Sequence, residues 1–183
     1  MKKLLGLIIL VAFLVYILPN FSNTKNLIQN SFASVTVTSN SSQTKPLHVK
    51  SINLKDEKKQ ENQLFELTNK ERITSNLPVL VLDEKLSDIA RDYAQKMWKE
   101  GFFGHVDLNG SNVSMRLNSK NIMFKFAGEN LALTSSAIEA NKGLMNSKNH
   151  KENILDQNFG KIGIGAVSNK NYGIIFVQIF TGI

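Results

Sequence analysis

The apolar residues of this 183-residue chain fall into two blocks separated by a polar stretch, and only the second block is long enough to build a core. The first block is Leu4 to Leu18, an unbroken apolar run behind Lys2 and Lys3. Pro19 and Asn20 end it. Lysines ahead of such a run keep the N-terminus in the cytoplasm and send the rest of the chain outward. As a helix the run spans about 22 Å. That is short for a hydrocarbon core of about 30 Å and long for the core of a signal peptide. Residues 1–21 therefore read as a signal anchor or a signal peptide. Lysine snorkelling on one side and Phe21 on the other lengthen the span. Cleavage needs small residues close behind the run. Ser22-Asn23-Thr24 is a poor candidate and Ser31-Phe32-Ala33 lies too far downstream, so the retained anchor is the better reading. Both readings place the bulk of the chain outside the cytoplasm, anchored or secreted.

Residues 22–59 are rich in Ser, Thr, Asn and Lys and read as a disordered polar linker. Val35-Thr36-Val37-Thr38 alternates like a strand but has no apolar neighbours with which to form a sheet. His48 reads as a solvated linker histidine. The formal charge of +7 is concentrated here: residues 1–60 carry eight lysines and two acidic residues, whereas residues 61–183 carry fourteen basic and thirteen acidic ones. A near-neutral domain argues against a nucleic-acid partner, and a basic tether suits an anionic membrane or wall surface or simply keeps itself solvated. The chain has no cysteine. Disulfides, thiolate metal sites, a cysteine nucleophile and an N-terminal lipidated cysteine are all excluded.

The remaining block, residues 60–183, reads as one α+β domain with its helices first and its sheet completed last. A helix starts near Lys59, with Leu64, Phe65 and Leu67 on its apolar side, and ends at Asn76 and Pro78. Asp83 caps a second helix whose stripe is Leu86, Ile89, Ala90, Tyr93, Ala94 and Met97. Gly101 stops it. Phe102 to Gly110 is a turn-rich loop with an aromatic wall. A short helix comes next, from about Ser111 to Asn118. Met123 to Phe126 alternates like a strand and continues into Ala127-Gly128-Glu129-Asn130. Ser135 or Ser136 caps a helix reaching about Met145. Asn149 and Glu152 have the spacing of a capping box. Ile162 to Val167 and Tyr172 to Phe180 read as strands around an Asn169-Lys170-Asn171 turn, the second apolar enough to be buried on both faces.

The order of these local patterns resembles the CAP superfamily, or SCP domain, in its bacterial form. The matching pieces are Asn69-Lys70-Glu71-Arg72, Leu82-Asp83-Glu84-Lys85-Leu86, Phe103 to Gly110, Ala127 to Ala132, Met145 to Leu155 and Ile162-Gly163-Ile164-Gly165, closed by Tyr172 and Gln178. Together they cover about two-thirds of the chain. The resemblance implies a three-layer α-β-α sandwich with a cleft holding two histidines and two acids. By position, His105 and His150 match the histidines and Glu129 the first acid, while the second acid falls at Ser147. The three are 24 and 21 positions apart and make no short ligand motif, so their convergence is implied by the resemblance alone.

On local sequence His105 is a loop histidine that hydrogen-bonds backbone, and Glu129 a strand-end carboxylate paired with a lysine. Asn130 is placed to hold a neighbouring loop. His150, at the first turn of a helix, is expected neutral, because the helix N-terminus disfavours positive charge. Two imidazoles and a carboxylate would make a three-ligand divalent site with an open position, zinc being the natural ion. The same trio without metal would polarise water for hydrolysis. Ser147 as a nucleophile lacks an elbow pattern around it. Three functions stand: a surface binding module for a metal, a lipid or a cell-wall fragment; a His/Glu hydrolase or peptidase; and an interaction domain with a vestigial cleft. The missing second acid favours binding over catalysis.

Overall fold

Two close approaches and a buried strand determine how the helices stack on the sheet. The computed structural model describes residues 54–183. Among them lie five helices and four strands in the order α1 (Leu54–Thr74), β1 (Val81–Leu82), α2 (Glu84–Glu100), α3 (Val113–Ser119), β2 (Phe126–Thr134), α4 (Ala137–Asn146), α5 (Lys148–Leu155), β3 (Lys161–Asn169) and β4 (Gly173–Gly182). The expected membrane segment, the strand-like alternation at Val35 to Thr38 and His48 lie outside the described residues. Among the described residues no helix is long and apolar enough to cross a membrane.

The strands form one sheet ordered β1-β3-β4-β2. β1 runs parallel to β3, and β4 pairs antiparallel with both β3 and β2. Side chains alternate across a strand, and β4 uses both faces. Ile175, Val177 and Ile179 join the stripe of α2 in one apolar cluster. Phe176 and Phe180 join Leu64 of α1, Ala140 and Leu144 of α4 and Ile154 of α5 in the other. This is a mixed α+β fold with helices on both faces of a central sheet. On the α2 side, β3 presents Gly163 and Gly165. A Cβ at Gly163 would lie 2.2 Å from Leu86 C, and one at Gly165 would lie 2.3 Å from Arg91 N. Only bare backbone lets α2 sit this close.

The helix ends follow their chemistry. Asp83 accepts from the amides of Lys85 and Leu86, and Gly101 takes φ 69° while its N–H bonds Met97 O. Of the two serines considered for α4, Ser136 is the cap, accepting from Glu139 N. Elsewhere the structure differs from the pattern. α1 begins at Leu54, five residues before Lys59. The strand expected from Met123 begins at Phe126, because Met123 is turned to solvent. The capping box at Asn149 and Glu152 does not form: α5 starts earlier, with Ser147 at the cap and no side-chain capping bond.

Candidate functional site

β2 is the edge strand on which the site is built. Glu129 shares the face of Leu131, whose side chain joins the α2 cluster, and Asn130 points to the other face. His105 arrives on the Glu129 face, from the loop after α2. His150 arrives from α5 on the opposite face. The two rings meet with centroids 6.3 Å apart at 43°. All three residues singled out in the sequence are therefore brought together.

A buried polar chain fixes α5 in place. Asn130 Nδ2 donates to His150 O and to Gln178 Oε1, each at 3.0 Å. Gln178 Nε2 donates to Thr68 Oγ1 at 2.8 Å. Asn153 Nδ2 donates to Asn130 Oδ1 at 2.9 Å and to Glu129 O at 3.3 Å. Asn130 bonds backbone as expected, but its target is His150 O within α5 rather than a neighbouring loop. Gly128 serves as a close-approach position: a Cβ there would lie 2.8 Å from the Phe159 ring.

The loop bearing His105 is tied down with equal care. Asp107 Oδ1 accepts from the amides of Asn109 and Ser111, and Lys96 Nζ binds Asp107 Oδ2 at 2.6 Å. The Lys96 ammonium and these amides hold the Asp107 carboxyl at a pKa of about 2. Tyr93 donates its hydroxyl to Gly104 O, and burial pushes that phenol up to about 12. Phe102 packs against the Tyr93 ring while Phe103, Val106 and Leu108 stay exposed around His105.

Glu129 is buried, its side chain only 2% exposed, and both of its oxygens are engaged. Oε1 accepts from His105 Nδ1 at 2.9 Å. Oε2 accepts from Arg116 Nη2 of α3. Arg116 also donates to Ser111 O at 3.0 Å and lies 3.4 Å over the Tyr93 ring, a cation–π contact of order 1–2 kcal/mol. The lysine partner expected for Glu129 is thus an arginine. Because Nδ1 is engaged by Glu129, Nε2 is the His105 ring atom left for a ligand. The His105 ring is half exposed. His150 has its pKa lowered below 6.5, first by burial and then by His105. The direction agrees with the neutral ring expected, and its leading cause is burial.

The three-ligand metal centre does not fit this arrangement. Among the described residues no group of three or more His, Asp or Glu side chains is placed to hold a metal ion. Glu129 supports His105 by a hydrogen bond and faces a guanidinium. A divalent cation drawn to Glu129 would meet the like charge of that guanidinium. Only two imidazoles remain as donors. Ser147, at the position of the missing acid, contributes no carboxylate.

Sequence reasoning missed Arg116, Tyr93 and Asn153. Asn153 lies three positions after His150 on one helix face, a spacing that could have drawn notice. Arg116 sits 11 positions from His105 and 13 from Glu129 in an ordinary-looking short helix, and no local signal marks it.

A helix-covered sheet with a histidine pair and a buried glutamate at its edge strand defines the class: an SCP-type domain. The comparisons agree. The model of the cysteine-rich secretory protein family, CAP, matches residues 65–180, and the chain belongs to that family, although it contains no cysteine. It is 38% identical over 123 residues to the protein YkwD of Bacillus subtilis, covering 67% of this chain and 47% of that one. It is 29% identical over 122 residues to the membrane protein YlbC of the same organism, covering 64% of this chain and 34% of that one. The chain thus spans less than half the length of these curated relatives. Among solved structures, an extracellular protein with an SCP domain from Bacillus anthracis aligns with a TM-score of 0.64 at 29% identity, over 78% of this chain and 45% of that one. An outer surface protein of Borrelia burgdorferi aligns with a TM-score of 0.65 at 26% identity, over 68% of this chain and 93% of that one.

Proposed function

We propose that this CAP-domain protein works outside the cytoplasm, tethered to the membrane by residues 1–21. In this reading its cleft at His105, Glu129 and His150 binds a cell-wall fragment without breaking a bond. Relatives described as extracellular, outer-surface and membrane proteins support the location. The observation that carries the binding reading is the preorganised pair of imidazoles 6.3 Å apart, held by buried hydrogen bonds from both faces of the sheet. A neutral His150 and the free Nε2 of His105 suit the hydroxyl and amide groups of a wall glycopeptide. The exposed Phe103, Val106 and Leu108 offer apolar surface beside them. The test is a titration of the full chain with soluble muropeptides, tracking the imidazole NMR signals. Both rings should shift, and His105→Ala with His150→Ala together should weaken binding by about tenfold or more. Equal binding by the double variant, or shifts only with anionic lipid vesicles, rejects this ligand.

One observation favours a second reading, a hydrolase. Glu129 on Nδ1 of His105 leaves Nε2 as the proton acceptor, the arrangement a general base uses on water. In that case wall material incubated with the protein and a chelator releases new ends, and Glu129→Gln slows release by about 10²-fold. No release by the wild type in any fraction of wall material removes this reading and leaves the binding one in place.

A further inference from the structure

The surroundings of Arg116 decide what the cleft can hold. Its guanidinium is fixed from several directions: Nη2 on Glu129 Oε2, Nη1 on Ser111 O at 3.0 Å, and the Tyr93 ring 3.4 Å beneath the plane. Its side chain is 11% exposed. Buried charges are stable only when paired, and this pairing is between Glu129 and Arg116. The carboxylate that a metal would need has its counter-ion built into the fold. His105 Nδ1 takes the remaining oxygen.

We infer that Arg116 is the cleft's resident cation, and that it closes the His105–Glu129–His150 cluster to divalent metal as a three-ligand site. The inference deepens the binding reading of the same cleft: the ligand engages two imidazoles beside a neutralised carboxylate, with no ion between. It turns on one residue of α3, because a neutral replacement removes the counter-ion of Glu129, along with the bond to Ser111 O, and keeps both histidines and the carboxylate. Glu129, still on His105 Nδ1, then becomes an uncompensated carboxylate behind that ring, and a cation held by the two imidazoles gains its charge.

The experiment is a zinc titration of the full chain at neutral pH, read by calorimetry and by the His105 and His150 ring signals. Wild type should bind zinc more weakly than about 100 µM. Arg116→Met should bind at least about tenfold more tightly, with both rings shifting, and adding Glu129→Gln to it should cancel the gain. Arg116→Lys keeps the charge and should gain nothing. Micromolar binding by wild type, lost with either histidine, overturns the inference even if Arg116→Met fails to fold. So does a folded Arg116→Met, checked by its thermal transition, that binds no better than wild type, or an Arg116→Lys that gains as much as the Met variant. Muropeptide binding measured with chelator present is independent of all these outcomes, so failure here leaves the wall-fragment reading to its own test.

Discussion

A half-buried imidazole beside a second imidazole resists protonation, and this makes His150 a measurable reporter of the site. In the unfolded chain the ring titrates near its ordinary value of 6.5; folded, its pKa lies lower, through burial and the neighbouring His105. Between those two values the unfolded state binds more protons, so stability rises with pH there. The His150 contribution is therefore neutral above 6.5 and destabilises as pH falls from 6.5 to the folded value. Thermal scans from pH 7.5 to 5 should show a Tm decline that is shallower in His150→Gln, and NMR titration should place the His150 midpoint below 6.5. A midpoint above 6.5, or parallel Tm profiles, contradicts the burial argument. The site residues became visible in the sequence unequally. His105, Glu129 and His150 were found through family resemblance, because separations of 24 and 21 positions carry no geometric information. Arg116 stayed invisible for a physical reason. Its partners are set by where α3 packs, and a short helix of sequence VSMRLNS gives no hint of that. The counter-ion of Glu129 was equally hidden, since charge compensation is a tertiary fact.

At the scale of elements, the sheet edge beyond β1 is managed by side chains where a further strand would sit. β1 pairs only with Lys161 and Ile162. Further along β3, Ile164 N donates to Ser87 Oγ at 3.1 Å, Ala166 N to Glu61 Oε1 at 3.2 Å and Ser168 N to Glu57 Oε1 at 2.7 Å. Three side chains from α1 and α2 thus occupy amides that would otherwise template another chain. Glu61 is buried and also forms a two-point pair with Arg91, at 2.7 and 2.8 Å. Glu61→Ala leaves a buried amide and a guanidinium underbonded, and should cost about 2–3 kcal/mol in urea unfolding. A loss under about 0.5 kcal/mol would mean that water replaces the carboxylate freely. On the same strand, Gly165→Ala places a methyl 2.3 Å from Arg91 N and 2.4 Å from Ala90 C. Backbone must move to admit it, so a cost of about 3 kcal/mol is expected by the same measurement. The stripe of α2, its caps and the doubly buried β4 were legible because period and cap chemistry are local. β1 was not: a two-residue strand has no periodicity, and Leu77 to Leu82 reads only as an apolar link. The α5 cap was misread because the spacing of Asn149 and Glu152 suits a capping box, while packing begins the helix earlier.

Across the whole molecule, polar groups at the centre of the layers do what apolar packing alone leaves undetermined. Hydrophobic contact holds helices to a sheet without fixing their rotation or slide; hydrogen bonds fix both. Arg72, buried in α1, donates to Pro78 O, Ile154 O and Asp156 O at 2.8 to 2.9 Å, tying the ends of α1 and α5 to the link before β1. Asn69 adds a two-way bond to the Leu80 backbone. The Asn69-Lys70-Glu71-Arg72 motif is thus structural, and its work is to set the register between layers. Thr68, Gln178, Asn130 and Asn153 form the second tie, running from α1 through β4 and β2 to α5 and ending on the His150 carbonyl. If this chain positions the site, its members are energetically coupled and its loss reaches the cleft. Asn130→Ala should cost about 2–4 kcal/mol, since it strands a buried carbonyl and two amide side chains. Gln178→Ala should cost a similar amount, and the double variant should cost less than their sum by about 1 kcal/mol or more, as expected for neighbours in one network. Between the histidines, either single variant should shift the His150 ring signal more than the His105 signal, because only α5 hangs from Asn130, while His105 is held by Glu129 and the Asp107 loop. Additive costs with both rings unmoved would assign the positioning of α5 to Ile154 and the apolar cluster around it instead.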